Sequence, residues 1–594
     1  MMDFLGQLGS ILWGPWTFIA LMLAGVVFTI WTKFTQYRSL THGIAVIRGV
    51  YDDPNDPGAI NHFQALSAAL SATVGLGNIG GVALAIAAGG PGSLFWMWII
   101  GALGMALKTV EITLSQMYRN IDDPDNPHGG AMWVVDKVVA SKGGGWKVFG
   151  KSFAVFFCIT LLISSITGGN MFQAWSVANL TQGYFDVPRV ATGIILAVVI
   201  GLVIIGGIKR IGKVAGKLVP LMCVLYLLAA FAVLSVHVAD IPSMIMMVVR
   251  DAFSPTQAAG SFIGGSIAWA FSTGLRRALF SNEAGQGSAP IAHAAAKTDE
   301  PAREGIVGGI GPFIDTICIC TLTALVIIAT GTWNREAMAD YGSPIHVERV
   351  GDPDSLTWRI VADDSLENLP TPADGPWQAG DRIYLVAEVQ GAVNKKTHSN
   401  RLRWESSIEP AENITNPDVA VPLHVAWKDI KLAPADFEGT PTDLKLVSPG
   451  IWRRYEGAQL TAHAFDRQFP GLGKWLVTVA AWLFAVSTMI SWSYYGEQGM
   501  VYMLGLRSVL PYKFVYLICV VIGAEWIRST DQMEVIMDIG TGAMLWSNIP
   551  IVLTLGYLAV RCLADYDRRL KAGEFPRHQA PSLTEVAEGK DVEK

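Results

Sequence analysis

The chain has 594 residues, 51% of them hydrophobic and only 16% charged, with a formal net charge of −6. Soluble domains carry about 25% charged residues, so this composition excludes an ordinary soluble globular protein; the net charge itself says little about partners, and no nucleic acid is expected among them. Apolar runs approach or exceed the ~20 residues that cross a bilayer as helix, which predicts an all-α polytopic membrane protein.

Taken in chain order, hydropathy predicts eleven spans, near residues 11–31, 64–89, 93–117, 150–178, 189–208, 213–236, 257–280, 305–330, 471–492, 512–527 and 540–563. The first is expected to stay as a helix, because "MMDFLGQLGS" lacks a basic n-region and the apolar stretch runs on to Lys33. The tenth is short and carries Glu525 near its end. With the N-terminus outside, 24 Lys and Arg residues fall in the inner loops 32–63, 118–151, 209–217, 276–304 and 493–513 and in the tail from 564. The short outer loops hold only Arg189, Arg250 and Arg528. That asymmetry is the positive-inside pattern, and it places the C-terminus in the cytoplasm and the long segment 331–470 outside. Six cysteines, at 158, 223, 318, 320, 519 and 562, lie in or beside apolar runs and read as small buried hydrophobes rather than a disulfide framework. Cys318 and Cys320, two apart on a helix, face differently and suggest no metal site.

Segment 331–470 differs in kind. "LTWRIVADDS" and "GDRIYLVAEVQG" are short, β-rich and separated by Pro, Gly and Asp, which predicts a small, mainly β extramembrane insert. Irregular chain is expected around "LPTPADGPW" and "PDVAVP". The tail after Asp565 is charged and is expected to be solvated.

The most informative stretch is "ALSATVGLGNIGGVALAIAAGGPG", where a membrane run is interrupted by Gly75, Gly77, Gly80 and Gly81 beside Thr73 and Asn78. In hydrocarbon, irregular backbone survives only where protein buries it or where it lines a cavity. Close helix packing is the competing account of the glycines, and the polar pair within the break favours a ligand site. A second interrupted run spans 256–288. Spans two to six and seven to eleven then form two groups of five, each opening with a broken helix. An odd number of spans per group forces opposite topologies, the inverted repeat of a secondary transporter with its site near the midplane. The repeat rests on span count and break position, because no residue-level identity links the halves. The predicted organisation is a helix and cytoplasmic loop at 1–63, a first repeat at 64–236, the start of a second at 237–330, the insert at 331–470, the remaining repeat at 471–563 and a cytoplasmic tail at 564–594.

"GLGNIGGVALAI", "GGPGSLFWMWIIGALGMALKTVEITLSQMYR", "FSNEAGQGSAPIAHAAAK" with "GPFIDTICICTLTALVI", and "FAVSTMISWSYYGE" resemble the alanine or glycine:cation symporter family over nearly the whole membrane chain. The resemblance implies a LeuT-type fold, five plus five helices with one extra at the N-terminus, and uptake of a small neutral amino acid, alanine or glycine, usually with Na+. The insert, roughly 332–455, is much longer than the connection expected in that family. By the same resemblance, Thr73, Gly75, Gly77, Asn78 and Gln173 contact the zwitterion, and Phe280 and Trp492 close the pocket. Backbone amides near Gly75 to Asn78 suit a carboxylate, because a half-helix N-terminus carries partial positive charge. A Na+ site is implied between the first broken helix and span nine, with Ala72, Thr73 and Gly75 on one side and the hydroxyls of Ser487 and Thr488 on the other. Taken alone, Gln173 could make an interhelical hydrogen bond, the aromatics could simply pack, and a Ser-Thr pair usually bonds to its own helix.

Intramembrane charges are functional candidates by default. Asp315 is the best proton or gating carboxylate, which makes H+ the alternative coupling ion. Glu283 sits in "FSNEAGQG", and Lys108 and Glu111, three apart, are expected to form a helical ion pair. His128 and His293 lie near inner loops without ligand spacing. A channel would need a continuous polar path, and an intramembrane enzyme a nucleophile with its base or two metal-binding residues at helical spacing; the sequence offers neither. The expected partners are a small amino acid and the bilayer of a bacterial plasma membrane.

Overall fold

The computed structural model describes residues 2–254, 256–351, 355–361, 369–373, 376–395, 397–410, 423–455, 457–527 and 530–588. Among these, eight helices are long and apolar enough to cross a membrane, and nine if His62–Thr73 and Gly77–Gly89, bent by 51° at their junction, count as one span. The chain is a multi-pass membrane protein. The two other predicted runs are helices of 16 residues, Arg189–Ile204 and Ile267–Asn282. Several helices outrun their apolar cores, as in Gly144–Phe185, Gly473–Leu504 and Thr530–Ala572, because hydropathy marks the buried or lipid-facing stretch and not the polar turns that continue it.

The seventh predicted span, 257–280, is corrected at its start. Residues 256–265 are not helical but fold into two small bridges, Thr256 with Gly265 and Ala259 with Phe262. Gly260 and Gly264 take φ of +52° and +88°, a region that interrupts a right-handed helix and that glycine enters without steric cost. The helix begins only after Ser266, whose side chain accepts from Trp269 N at 3.0 Å as an N-cap.

The insert is β, as its alternation predicts. Antiparallel strands Ala339–Asp340, Gly450–Arg453, Arg382–Asn394, Arg401–Pro410 and Leu423–Val425 lie side by side in that order, and Phe437–Leu446 also pairs with the long Arg382–Asn394 strand. Val347–Arg349, Thr357–Ile360 and Ile430–Lys431 form a second sheet. Along Arg382–Asn394 the two faces separate with period two. Ile383, Leu385, Ala387 and Val389 join Trp358 and Trp404 in the insert's own core. Tyr384 and Val386 pack with Trp452 against Ile263 and Ala337. The second face seats the insert on the 256–265 loop, where the Tyr384 hydroxyl and the Arg403 guanidinium donate to Ser261 O at 3.4 and 3.2 Å. Residues 417–422, expected to be irregular, lie outside the described residues, as do 374 and 375.

After the strands, helix Ala458–Gln468 rests directly on the first broken helix. Thr461 Oγ1 donates to Ile79 O at 3.0 Å, and a Cβ on Gly80 would stand 2.9 Å from Ala458 N, so the approach requires glycine. His463 stacks on Tyr455. Burial, then Arg335, Arg467 and Arg453, hold its pKa down at about 3, which keeps it neutral.

The tail also departs from expectation. Rather than remaining solvated, helix Leu583–Glu588 folds back on the start of the first broken helix, where Val586 O accepts from Asn61 Nδ2 at 2.8 Å and Ala587 O from Gln64 Nε2 at 3.3 Å. A capping arrangement of Ser582 with Glu585 starts that short helix, and Val586 supplies its buried contact.

The loop charges make one labelling prediction. A cysteine replacing the exposed Lys395 should react with a membrane-impermeant maleimide in intact spheroplasts, and one replacing the exposed Lys213 should react only after permeabilisation. The reverse pattern would invert the assigned orientation.

Candidate functional site

The first break follows from its glycines and from one asparagine. Helix His62–Thr73, capped by Asn61, ends at Val74 with ψ of 88°, and a π-helical turn, Gly77–Gly81, leads into Val82–Gly89. Asn78 repairs the gap by accepting from Gly75 N at 2.9 Å, while its own backbone N–H donates to Gly75 O at 3.1 Å. The Asn78 amide donates onward to Ser281 Oγ at 2.9 Å and to the Asp315 carboxylate, 237 residues away. Ser281 Oγ donates to the same carboxylate oxygen at 2.5 Å. Asp315 is fully buried in a π-helical stretch, Phe313–Cys320, and its partners are thus the breaks themselves.

The second break lies at residues 283–287. Helix Ile267–Asn282 ends at Glu283, which is left-handed at φ +55°, followed by Gly285 and Gly287 at +86° and +77°. The turn carries Glu283, whose carboxylate accepts from Ser288 Oγ at 2.6 Å and from the Trp492 side chain. Gln286 Nε2 is anchored on Leu279 O at 2.8 Å.

Two further helices face these breaks. In the fourth span a π-helical turn, Thr167–Met171, interrupts Gly144–Phe185, and Gln173 just beyond it donates from Nε2 to Gly168 O at 3.2 Å while its Oε1 faces Leu76 N at 3.5 Å. From Gly473–Leu504, the hydroxyls of Ser487 and Ser71 meet at 2.7 Å across 416 residues of sequence. The adjacent Thr488 hydroxyl is buried without a hydrogen-bond partner. It lies so close to Gly75 that a Cβ there would stand 2.5 Å from it.

A buried cavity lies between these elements. Of the residues singled out from sequence, Ala72, Thr73, Gly75, Gly77, Gln173, Phe280, Thr488 and Trp492 line it. Asn78 and Ser487 do not; they stand behind the wall, committed to Asp315 and to Ser71. Glu283, named from sequence as an intramembrane charge, lines it too, and the cavity adds Ser164, Gly168, Gln286 and Thr541. Glu283 and Gln286 belong to the "NEAGQG" turn, whose two glycines were the available signal. Ser164 and Thr541 carried none, since a lone hydroxyl in an apolar helix is common.

The expected Lys108–Glu111 ion pair is not among the ion pairs of the described residues. Glu111 accepts instead from Asn548 Nδ2 at 2.9 Å, because helix Thr530–Ala572 brings a donor to it across the bundle. Lys108 is buried in the combined field of Glu283, Asp315 and Glu111. Of these four charged groups only Glu283 reaches the cavity wall. Of the histidines, His128 Nδ1 is hydrogen-bonded with Gln498 Oε1 at 2.7 Å, and His293 is joined to Glu304.

Interrupted helices that bring polar breaks together around a buried cavity, within a multi-pass helical bundle, are the construction of a membrane transporter. The sequence pattern of the sodium:alanine symporter family matches residues 1–347 and 440–580, and the chain belongs to that family, one of amino-acid:cation symporters and not of enzymes. The unmatched stretch, 348–439, covers most of the β insert. Relatives span almost the full length: the sodium/alanine symporter AgcS of Methanococcus maripaludis is 32% identical over 94% of this chain and 96% of its own. A putative sodium/proton-dependent alanine carrier, YrbD of Bacillus subtilis, is 28% identical over 97% of this chain and 94% of its own. An uncharacterized transporter of Haemophilus influenzae is 28% identical over 97% and 98%.

Proposed function

We propose that the protein takes up small neutral amino acids, alanine or glycine, together with Na+ across a bacterial plasma membrane, working through a LeuT-type core of two inverted repeats. In this reading the N-terminus and the insert lie outside and the C-terminus in the cytoplasm. The observation that carries the reading is the cavity at the break, where unwound backbone, an amide side chain and an unpartnered hydroxyl converge. The Gly77 backbone in the cavity wall serves the substrate carboxylate, and Gln173 and Glu283 offer acceptors for its ammonium. The Phe280 ring stands 3.0 Å from where a Cβ on Gly77 would be and 3.4 Å from one on Gly168. Space for the substrate side chain is accordingly small.

For the ion, the carbonyls of Ala72, Thr73 and Gly75 at the end of a half-helix are oxygen ligands of the kind that coordinate Na+ in such folds. The Thr488 hydroxyl closes the shell from the facing helix. Ser487 contributes mainly by holding Ser71 in place. The Glu283 side chain adds an acidic group to the cavity wall, which favours a bound cation. A proton on Asp315 is the second reading, favoured by that carboxylate's complete burial and consistent with the sodium/proton-dependent relative.

The experiment is uptake of labelled alanine into proteoliposomes under an inward Na+ gradient, with choline as replacement at fixed pH. Accumulation should require Na+. Thr488→Ala should raise the half-saturating Na+ concentration by about tenfold, the equivalent of one lost hydrogen bond to a charged group, and Ser487→Ala should raise it less. Linkage demands that alanine tighten Na+ binding by the same factor that Na+ tightens alanine. Uptake indifferent to choline would transfer the coupling to the proton.

A further inference from the structure

At the end of the bundle where the first broken helix begins, one carboxylate joins both broken helices. Glu304, fully buried in helix Pro301–Gly308, accepts at Oε2 from Nδ1 of His62 and at Oε1 from Nδ1 of His293. His62 opens the first broken helix, and His293 ends the short helix Ala289–His293 that follows the second break. Around this core the backbones are stitched together: Ala59 N donates to Ala295 O and Lys297 N to Ile60 O, both at 2.8 Å. The Arg119 guanidinium donates to Ala294 O, Ala296 O and Pro57 O at 2.8, 2.7 and 3.0 Å. The two broken helices are closed on one another here.

A carboxylate removed from water with only neutral donors is costly to keep ionised, and a cation on one partner offsets that cost. The surroundings select His62. Its second ring nitrogen, Nε2, lies 3.7 Å from Asp52 Oδ1, whereas that of His293 abuts Gly308, where a Cβ would stand 3.2 Å away. A second N–H on His62 therefore faces a second carboxylate at ion-pair distance, beyond hydrogen-bond length. Asp52 has a side chain 21% exposed and connects the cluster to water.

We propose that His62, Glu304 and His293 form a proton-binding site that latches the two broken helices together, the proton residing on His62 Nε2 in the latched state. The proton arrives from and returns to bulk water by way of Asp52, while the Nδ1 protons of both imidazoles stay on their rings, hydrogen-bonded to Glu304. Its departure removes the cation in direct contact and leaves a buried carboxylate with two neutral donors, the Arg119 guanidinium remaining nearby but committed to backbone carbonyls. Rising pH on that side, the cytoplasm by the loop charges, thus favours parting of the helices. The consequence for substrate release rests on the transport reading; the proton site does not.

Other charged groups near the cluster are accounted for. Arg303 donates to Tyr51 O at 2.9 Å and lies 3.9 Å from Asp56. Helices packed on the His62 helix bring Lys213 and Lys217, both exposed, Glu497 paired with Lys513 at 2.8 Å, Glu585 bonded to Ser582, Arg276 at 3.5 Å from Asp538, and His42 bonded to Tyr566. The competing titrator is Asp56, whose carboxyl is pushed up to about 6 by burial and then by Asp299.

The test is hydrogen–deuterium exchange of the full chain in lipid nanodiscs without substrate, at pH 6 and pH 8, corrected for the intrinsic pH dependence of exchange. Peptides covering 57–66 and 293–299 should lose protection at pH 8 by about tenfold or more, the ceiling for one proton over two pH units being about 100-fold. His62→Asn, whose amide replaces the Nδ1 donor without titrating, should show equal protection at both pH values, and Asp56→Asn should retain the wild-type change. Glu304→Gln supplies the same readout where His62→Asn does not fold, with faster exchange that no longer depends on pH. Equal wild-type protection at both pH values, a change that survives in His62→Asn or Glu304→Gln, or one that disappears in Asp56→Asn overturns the proposal. Because no substrate or sodium is present, a failure here is separate from a failure of the symport reading.

Discussion

Gly75→Ala should abolish sodium-driven uptake while the protein still reaches the membrane in normal amount. The added methyl would stand 2.5 Å from Thr488 Oγ1 and 3.6 Å from Gln173 Oε1. Real Cβ contacts are never as short as the first of these, so one side has to move. Thr488 is β-branched and mid-helix, with few rotamers open to it, so the half-helix end shifts away and the proposed ion shell opens. Losing a charge-assisted contact costs about 1.5–3 kcal/mol, or about 10–150-fold in sodium affinity. The measurement is a sodium titration of alanine binding, with surface amount followed by immunoblot. Combining Gly75→Ala with Thr488→Ala separates crowding from coordination: it should relieve the clash and restore thermal stability, but not the sodium affinity. A Gly75→Ala protein with wild-type sodium dependence would remove this junction from the ion site.

Asp315→Ala should destabilise the core of the bundle. It removes the shared acceptor of Asn78 Nδ2 and Ser281 Oγ, leaving the amide with Ser281 Oγ and the backbone carbonyl of residue 315 and the hydroxyl with only the Cys320 sulfur at 3.4 Å, at a cost of about 1–3 kcal/mol, and it loosens the asparagine that ties down Gly75 N. Thermal unfolding in detergent should shift downward and alanine binding should weaken together. Asp315→Asn retains an acceptor oxygen for both donors and removes only the charge. In a sodium-coupled carrier the Asn variant should therefore recover much of the stability lost in Ala and keep measurable uptake; in a proton-coupled carrier it should lose the dependence of uptake on pH. Unchanged stability in Asp315→Ala would mean that the Asn78–Ser281–Asp315 network bears no weight in the fold.

Much of this molecule is readable along the chain because the properties concerned are local. Bilayer-length apolar runs, the charge asymmetry of the loops, the interruption at Gly75 to Gly81 and the period-two alternation of Arg382–Asn394 are each written in one short window, and the family motifs are contiguous strings. Those windows also identified most of the cavity wall, from Ala72 to Trp492. What only the tertiary structure decided is which polar groups face each other. Asn78 could equally have met a ligand, and it is turned instead to Asp315 on a helix 237 residues away. Glu111 was expected to pair within its own helix and is claimed by Asn548 of another. The seventh span begins at Ile267 because the insert holds the preceding loop through Ser261, and the charged tail is drawn onto Asn61 and Gln64. In a low-dielectric interior an unpaired donor or carboxylate is costly, so most find a partner, and the partner is whichever group the packing brings within reach. Hydropathy and spacing say which residues are buried and on what helix, but the pairing of distant polar groups exists only once the helices are assembled.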